Sequence, residues 1–147
     1  MKVYKFGGAS VKDAAGVRNL LDIVNGEEEL FIIVSAMGKT TNALEGVFQA
    51  MQQGDTALAL ERIDASYSYH RTIIDELMGA DITIEQMNTL FEQLRNTVRN
   101  TIYRTSDAEL WYDTIVAFGE LISTTIISNF LNGHGVKNRW VDMRRVV

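Results

Sequence analysis

Cysteine and proline are both absent from the 147 residues, and histidine occurs only at His70 and His134. Without cysteine there are no disulfides and no thiolate metal sites, and nothing points to an oxidising compartment. Two histidines are too few for a histidine-built metal cluster. Average usage of about 5% would supply roughly seven prolines, and their lack fits long helices joined by short turns. A basic surface is missing too. The net charge is -5 and the pI is near 5.0, which argues against a general affinity for nucleic acid or for an anionic membrane. No apolar run reaches the roughly 18 residues of a membrane span. The start, Met1-Lys2-Val3-Tyr4-Lys5-Phe6, turns polar too quickly for a signal peptide. The expectation is a cytoplasmic protein.

What is present suffices for a core, since 46% of residues are hydrophobic and 22% charged. Val3-Tyr4-Lys5-Phe6 is short and rich in strand formers, and it ends at Gly7-Gly8. A helical pattern follows from about Asp13, with Val17, Leu20, Leu21 and Val24 on one face and Asn25-Gly26 as the stop. Leu30-Phe31-Ile32-Ile33-Val34 is a continuous apolar run, suited to a strand buried on both faces. Strand, helix, strand in this order is a βαβ unit, so the strands are predicted to be parallel, with ligand loops at their C-terminal ends. Those ends are Lys5-Phe6-Gly7-Gly8-Ala9-Ser10 and Ser35-Ala36-Met37-Gly38-Lys39-Thr40-Thr41-Asn42.

The middle of the chain reads as helix. Leu44, Val47, Phe48 and Met51 mark one stretch, ended by Gly54; Leu58 to Leu77 mark a second, ended near Gly79. Ile84, Met87, Leu90, Phe91, Leu94, Val98 and Ile102 mark a third, and a fourth runs from about Ala108 to Leu131. Val136 to Val141 reads as a third strand, followed by Asp142-Met143-Arg144-Arg145. Three strands with this much helix make a small α/β domain, so the chain is expected to be part of one.

Each candidate site has a plain alternative. Gly7-Gly8 after a strand lets backbone amides approach an anion, Lys5 adds a cation, and Ser10 can cap the next helix or donate to a phosphate. The alternative is an ordinary turn beside a surface lysine. Gly38-Lys39-Thr40 invites a P-loop reading, but that motif needs glycine at position 33, where Ile33 stands inside a strand. What remains is a polar loop with Ser35, Thr41 and Asn42, able to bind a small ligand or simply to cap a helix. Gly119 inside a helical pattern costs about 1 kcal/mol relative to Ala, which suggests close packing or a close ligand. Glu120 beside it reads as partly buried, and either recognises an amine or pairs with an arginine. Asp142 and Arg144 stand at a strand end, where ligand loops gather but charges are commonplace.

Together these segments resemble the aspartate kinases of the amino-acid kinase family. Val3-Tyr4-Lys5-Phe6-Gly7-Gly8-Ala9-Ser10-Val11 resembles the family's Lys-Phe-Gly-Gly-Thr-Ser signature, with Ala9 in place of the usual Thr. Val34 to Asn42 is similar to its Ser-Ala loop ending in Thr-Asn. Phe118-Gly119-Glu120 with Ser123 is similar to its Gly-Glu helix, and Asp142-Met143-Arg144 to its Asp-x-Arg. The four occur in family order across essentially the whole chain.

The resemblance implies an α/β fold, a three-layer αβα sandwich with a mainly parallel sheet, incomplete at the C-terminus. Residues 1–147 would be the N-terminal part of one catalytic domain, without the ATP-binding half or the regulatory ACT domains. The implied reaction is ATP plus L-aspartate giving 4-phospho-L-aspartate and ADP, at the head of lysine, threonine and methionine biosynthesis. Lys5, Gly7, Gly8 and Ser10 would hold the ATP phosphates, with Lys5 catalytic. Thr41 and Glu120 would hold aspartate, Glu120 facing its α-ammonium, and Ser35, Asn42, Asp142 and Arg144 would support them. Mg²⁺ would accompany ATP, with no metal-ligating residue in this chain. The resemblance further implies a homo-oligomer and an inactive fragment. Three other readings stay open: a kinase of this family acting on glutamate or acetylglutamate, a non-catalytic metabolite-binding module, and a helical interaction domain without a ligand site.

Overall fold

The computed structural model describes residues 1–145. Strands β1 (Lys2–Phe6) and β2 (Leu30–Val34) flank helix α1 (Ala14–Val24). They pair in parallel, Lys2 opposite Leu30 and Phe6 opposite Val34, as the βαβ reading predicts. Asp13 caps α1 by accepting from the Gly16 N–H at 2.9 Å, and Val17, Leu20 and Val24 are buried. Four more helices follow: α2 (Thr40–Gln52), α3 (Thr56–Met78), α4 (Glu85–Asn100) and α5 (Ala108–Gly133). Each carries the apolar stripe seen in the sequence. Asp55 starts α3 by accepting from the Leu58 N–H at 3.0 Å. Ile102 is the exception to the α4 pattern. The helix ends at Asn100, so this side chain leaves the packed face and is exposed.

Helix α5 is the centre of the packing, in contact with α2, α3, α4 and β2. That position explains its composition. A helix with neighbours on several sides needs apolar residues around most of its surface. Residues Thr105–Gly133 reach a mean hydropathy of 1.4 over an 18-residue window, enough by length and composition to cross a membrane, although no uninterrupted apolar run does so. In this fold 61% of that window is buried inside the protein. Phe91, Phe130, Leu44, Ile63, Ile74 and Met87 complete the enclosed core.

The predicted third strand does not form. Residues 136–141 carry no ladder pairing, and the sheet of the described residues has two strands. The segment is drawn to the C-terminal half of α5 instead. The Trp140 indole N–H donates to Thr124 Oγ1 at 2.8 Å, and the Ser128 hydroxyl donates to Asn138 Oδ1 at 2.5 Å. Asn138 also donates to the Ser128 and Val136 carbonyls. These bonds leave the segment across a groove of about 480 Å³ from β2 rather than beside it. The mixture of helices and parallel sheet is α/β. Two paired strands do not make the middle layer of a three-layer sandwich among the described residues.

Candidate functional site

Parallel pairing brings the ends of β1 and β2 side by side, and the loops that follow them touch. The Ser35 N–H donates to the Phe6 carbonyl and the Gly38 N–H to the Gly8 carbonyl, both at 3.0 Å. Gly8 is required by this contact. A Cβ there would stand 2.7 Å from the Ala36 carbonyl oxygen and 3.0 Å from that of Gly38. Backbone atoms cannot yield cheaply, so a side chain would push the loops apart. Gly7 is different, with open space where a Cβ would be and an ordinary φ of -77°. The glycine pair therefore serves close approach at Gly8 and accessibility at Gly7, while the left-handed conformation belongs to Gly38, with φ +55°.

On this two-loop platform Lys5, Gly7 and Ser10 are exposed. Lys5 lies opposite Ile33 in the strand register and has no ion pair among the described residues. Helix α2 begins where the second loop ends, and no side chain caps its start. Its first turn carries Thr41 and Asn42, both exposed, at the positive end of the helix. Thr40 is buried, its hydroxyl donating to the Met37 carbonyl at 2.6 Å.

Helix α5 closes the platform from below. A Cβ on Gly119 would lie 2.9 Å from Ala36 Cβ, 3.3 Å from Leu44 Cδ1 and 3.4 Å from Thr40 Cγ2. The helix-interior glycine is thus paid for by close packing against the second loop. One turn on, the Ser123 hydroxyl donates to the Ser35 carbonyl at 2.7 Å. Ser123→Ala leaves that carbonyl without its partner. A loss of about 1 kcal/mol in thermal or urea unfolding is expected, the net worth of one hydrogen bond to a half-buried acceptor.

Glu120 corrects the sequence reading. It is exposed rather than partly buried, because Gly119 and Leu121 take the packed faces on either side of it. It has no ion pair among the described residues, so the arginine-paired alternative is not realised there. Its carboxylate lines the groove between β2 and residues 137–144, with Asp142 and Arg144. Those two are committed to each other. Arg144 Nη2 donates to Asp142 Oδ2 at 2.7 Å, its Nε donates to both oxygens at 3.0 and 3.2 Å, and its N–H adds a bond at 3.0 Å. These bonds hold the buried Asp142 carboxyl below its ordinary value. Asn42 and Lys39 line a separate cavity of about 480 Å³ between α2 and α3. These two cavities separate Glu120, Asp142 and Arg144 from Asn42.

Tyr69 and His70 on α3 carry no site signal in the sequence, yet both reach the loops. The Tyr69 hydroxyl donates to the Lys12 carbonyl. His70 is fully buried, its Nδ1–H donating to the Ser66 carbonyl at 2.7 Å and its Nε2 lying 3.5 Å from the Thr40 hydroxyl. Burial pushes the His70 imidazole down to about 4, which keeps it neutral. Nothing in the spacing of the chain distinguishes either residue from an ordinary member of a helical stripe. Among the described residues no group of three or more His, Asp or Glu is placed to hold a metal ion.

The sequence pattern of the amino acid kinase family matches residues 1–147. The chain is 28% identical over 146 residues to lysine-sensitive aspartokinase 3 of Escherichia coli (strain K12), covering 99% of this chain and 31% of that protein. It is 33% identical over 149 residues to chloroplastic aspartokinase 1 of Arabidopsis thaliana, covering 95% and 25% respectively. The fold superposes on E. coli aspartokinase III in complex with aspartate and ADP with a TM-score of 0.81, at 27% identity, covering 99% of this chain and 32% of that one. The chain thus spans a third or less of the length of these relatives. With the family pattern covering every residue, and with the glycine loops, the Thr-Asn turn and the Gly-Glu helix assembled on one platform, the chain belongs to the amino acid kinase family.

Proposed function

We propose that the protein carrying this chain is an ATP-dependent aspartate kinase, and that residues 1–147 are the N-terminal part of its catalytic domain. The observation that carries this reading is the joined pair of loops, held by the Gly38 N–H on the Gly8 carbonyl. Lys5 stands at the end of β1 where the first loop begins, without an ion pair among the described residues, and Thr41 and Asn42 open the uncapped helix after the second loop. The relatives support the substrate, since one solved neighbour is an aspartokinase in complex with aspartate and ADP.

In this reading a side-chain carboxylate oxygen of L-aspartate attacks the γ-phosphorus of ATP. The new O–P bond forms as the bond to the β,γ-bridging oxygen breaks, giving 4-phospho-L-aspartate and ADP. A carboxylate is already the nucleophile, so no general base is needed. Lys5 and the amides of Gly7 and Gly8 stabilise the charge on the moving phosphoryl group, with Ser10 supporting their loop. Thr41 and Glu120 hold aspartate, Glu120 meeting the α-ammonium from its groove, while Ser35 and Asn42 support the second loop. The Asp142–Arg144 pair stiffens the far wall of the groove. The triphosphate would bring Mg²⁺ with it, to offset charge on the phosphates, and none of the described residues would be needed to hold the ion. The product feeds lysine, threonine and methionine synthesis. The working protein is a cytoplasmic homo-oligomer.

The test is a hydroxylamine trap on the gene-length chain with ATP and Mg²⁺, offering aspartate and glutamate separately. Hydroxamate from aspartate alone is expected. Hydroxamate from glutamate would keep the family and replace the substrate. No product from either, with ligand still bound, would favour a metabolite-binding module. The 147 residues assayed alone are expected to give no product, because they span a third or less of the relatives.

A further inference from the structure

Helix α3 lies outside the two-loop platform, yet it touches both loops through adjacent residues. Tyr69 donates its hydroxyl to the carbonyl of Lys12, at the end of the first loop. The same hydroxyl lies over the second loop. A Cβ on Gly38 would stand 2.5 Å from Tyr69 Oη and 3.4 Å from Lys12 Cβ. Gly38 therefore accommodates the phenol as well as its own φ of +55°. His70 follows and packs beside Thr40, the residue on which α2 starts, with its Nε2 3.5 Å from the Thr40 hydroxyl. Burial, and then the Asp13 carboxylate, hold the Tyr69 phenol above its ordinary value, so it stays a donor across neutral pH.

The two loops are otherwise joined at their contact by the Gly38 to Gly8 backbone bond and the Ser35 to Phe6 bond. Both lie close to the strands. Lys12 is four residues beyond Gly8, at the entrance to α1, and nothing in the strand register fixes it there. A hydroxyl from a third element does so.

We propose that Tyr69 is a positioning residue: by clamping the Lys12 carbonyl against Gly38 it sets the separation of the two loops, and hence the alignment of donor phosphate and acceptor carboxylate. The catalytic part of this inference rests on the kinase reading above. The geometric part does not.

The experiment is Tyr69→Phe in the gene-length chain, with two readouts. Phenylalanine keeps the ring over Gly38 and removes only the donor. Amide exchange of the peptide containing Gly38 is expected to quicken about fivefold, the equivalent of one net hydrogen bond, with the melting temperature falling by no more than about 2–4 °C. In the hydroxylamine assay kcat is expected to fall about tenfold, with KM for ATP and aspartate moving less than about twofold, as loss of alignment predicts. Unchanged exchange at Gly38 overturns the clamp. Quickened exchange with unchanged kcat shows that the clamp does not position the reactants, and overturns the inference too. If the wild-type chain phosphorylates neither amino acid, the kinase reading falls, while exchange at Gly38 still decides whether Tyr69 holds the loops.

Discussion

Lys5→Ala in the gene-length chain is expected to lower kcat for aspartate phosphorylation by about 10²–10³-fold, the usual cost of removing one preorganised donor to developing charge. The residue is suited to this role. It lies on β1, where the ladder with β2 fixes its backbone. Its ammonium has no carboxylate partner among the described residues, in a chain with a net charge of -5. An unpaired, exposed cation contributes little to folding, so the melting temperature of the variant is expected to stay within about 1–2 °C of wild type. Steady-state kinetics at saturating ATP and aspartate check the result. A rise in KM for ATP with kcat intact would mean that Lys5 binds the triphosphate equally in ground and transition states, and would remove it from the catalytic role.

The second large effect is on stability. His70 is buried among Tyr69, Phe91, Thr40 and the Ser66 carbonyl, with no charged partner acting on it. Its imidazole titrates near 4 in the fold and near 6.5 when unfolded. Between these values the unfolded chain carries a proton that the folded chain refuses, so stability is full above about 6.5 and falls as the pH drops. At about 1.4 kcal/mol per pH unit, the loss reaches about 3 kcal/mol by pH 4. Urea unfolding at pH 7 and at successive values down to 3 should show this slope between about 6.5 and 4. His70→Gln, which has no proton to gain in this window, should flatten it even if stability at pH 7 is lower. Asp142 acts in a different range. Arg144 depresses its carboxyl, so its contribution is present above the ordinary value of 3.8 and is lost only below it. A wild-type slope confined below pH 3.8 would therefore point to Asp142 and not to His70.

Much of the molecule was legible from the chain itself. The five-residue strands and the five helices follow from runs and stripes that are local properties of the sequence. The glycines after β1 and β2 mark the loops correctly, because close approach and positive φ both demand a residue without a side chain. Order along the chain also made the family resemblance readable.

Tertiary structure decided the rest, for one physical reason: each remaining feature depends on a partner outside its own element. A strand needs a neighbouring edge, and residues 136–141, strand-like in composition, took side-chain bonds from α5 instead. The exposure of Glu120 depends on which faces of α5 its neighbours occupy. The reason for Gly119 is a loop some eighty residues earlier. His70 and Tyr69 look like ordinary positions on a helical stripe until α3 packs and carries one into the core and the other onto the glycine loops. Local periodicity thus determined which elements this chain forms and where its loops lie. Only the packing decided which side chains those loops would meet, because burial and hydrogen bonding are set by neighbours that the order of residues does not specify.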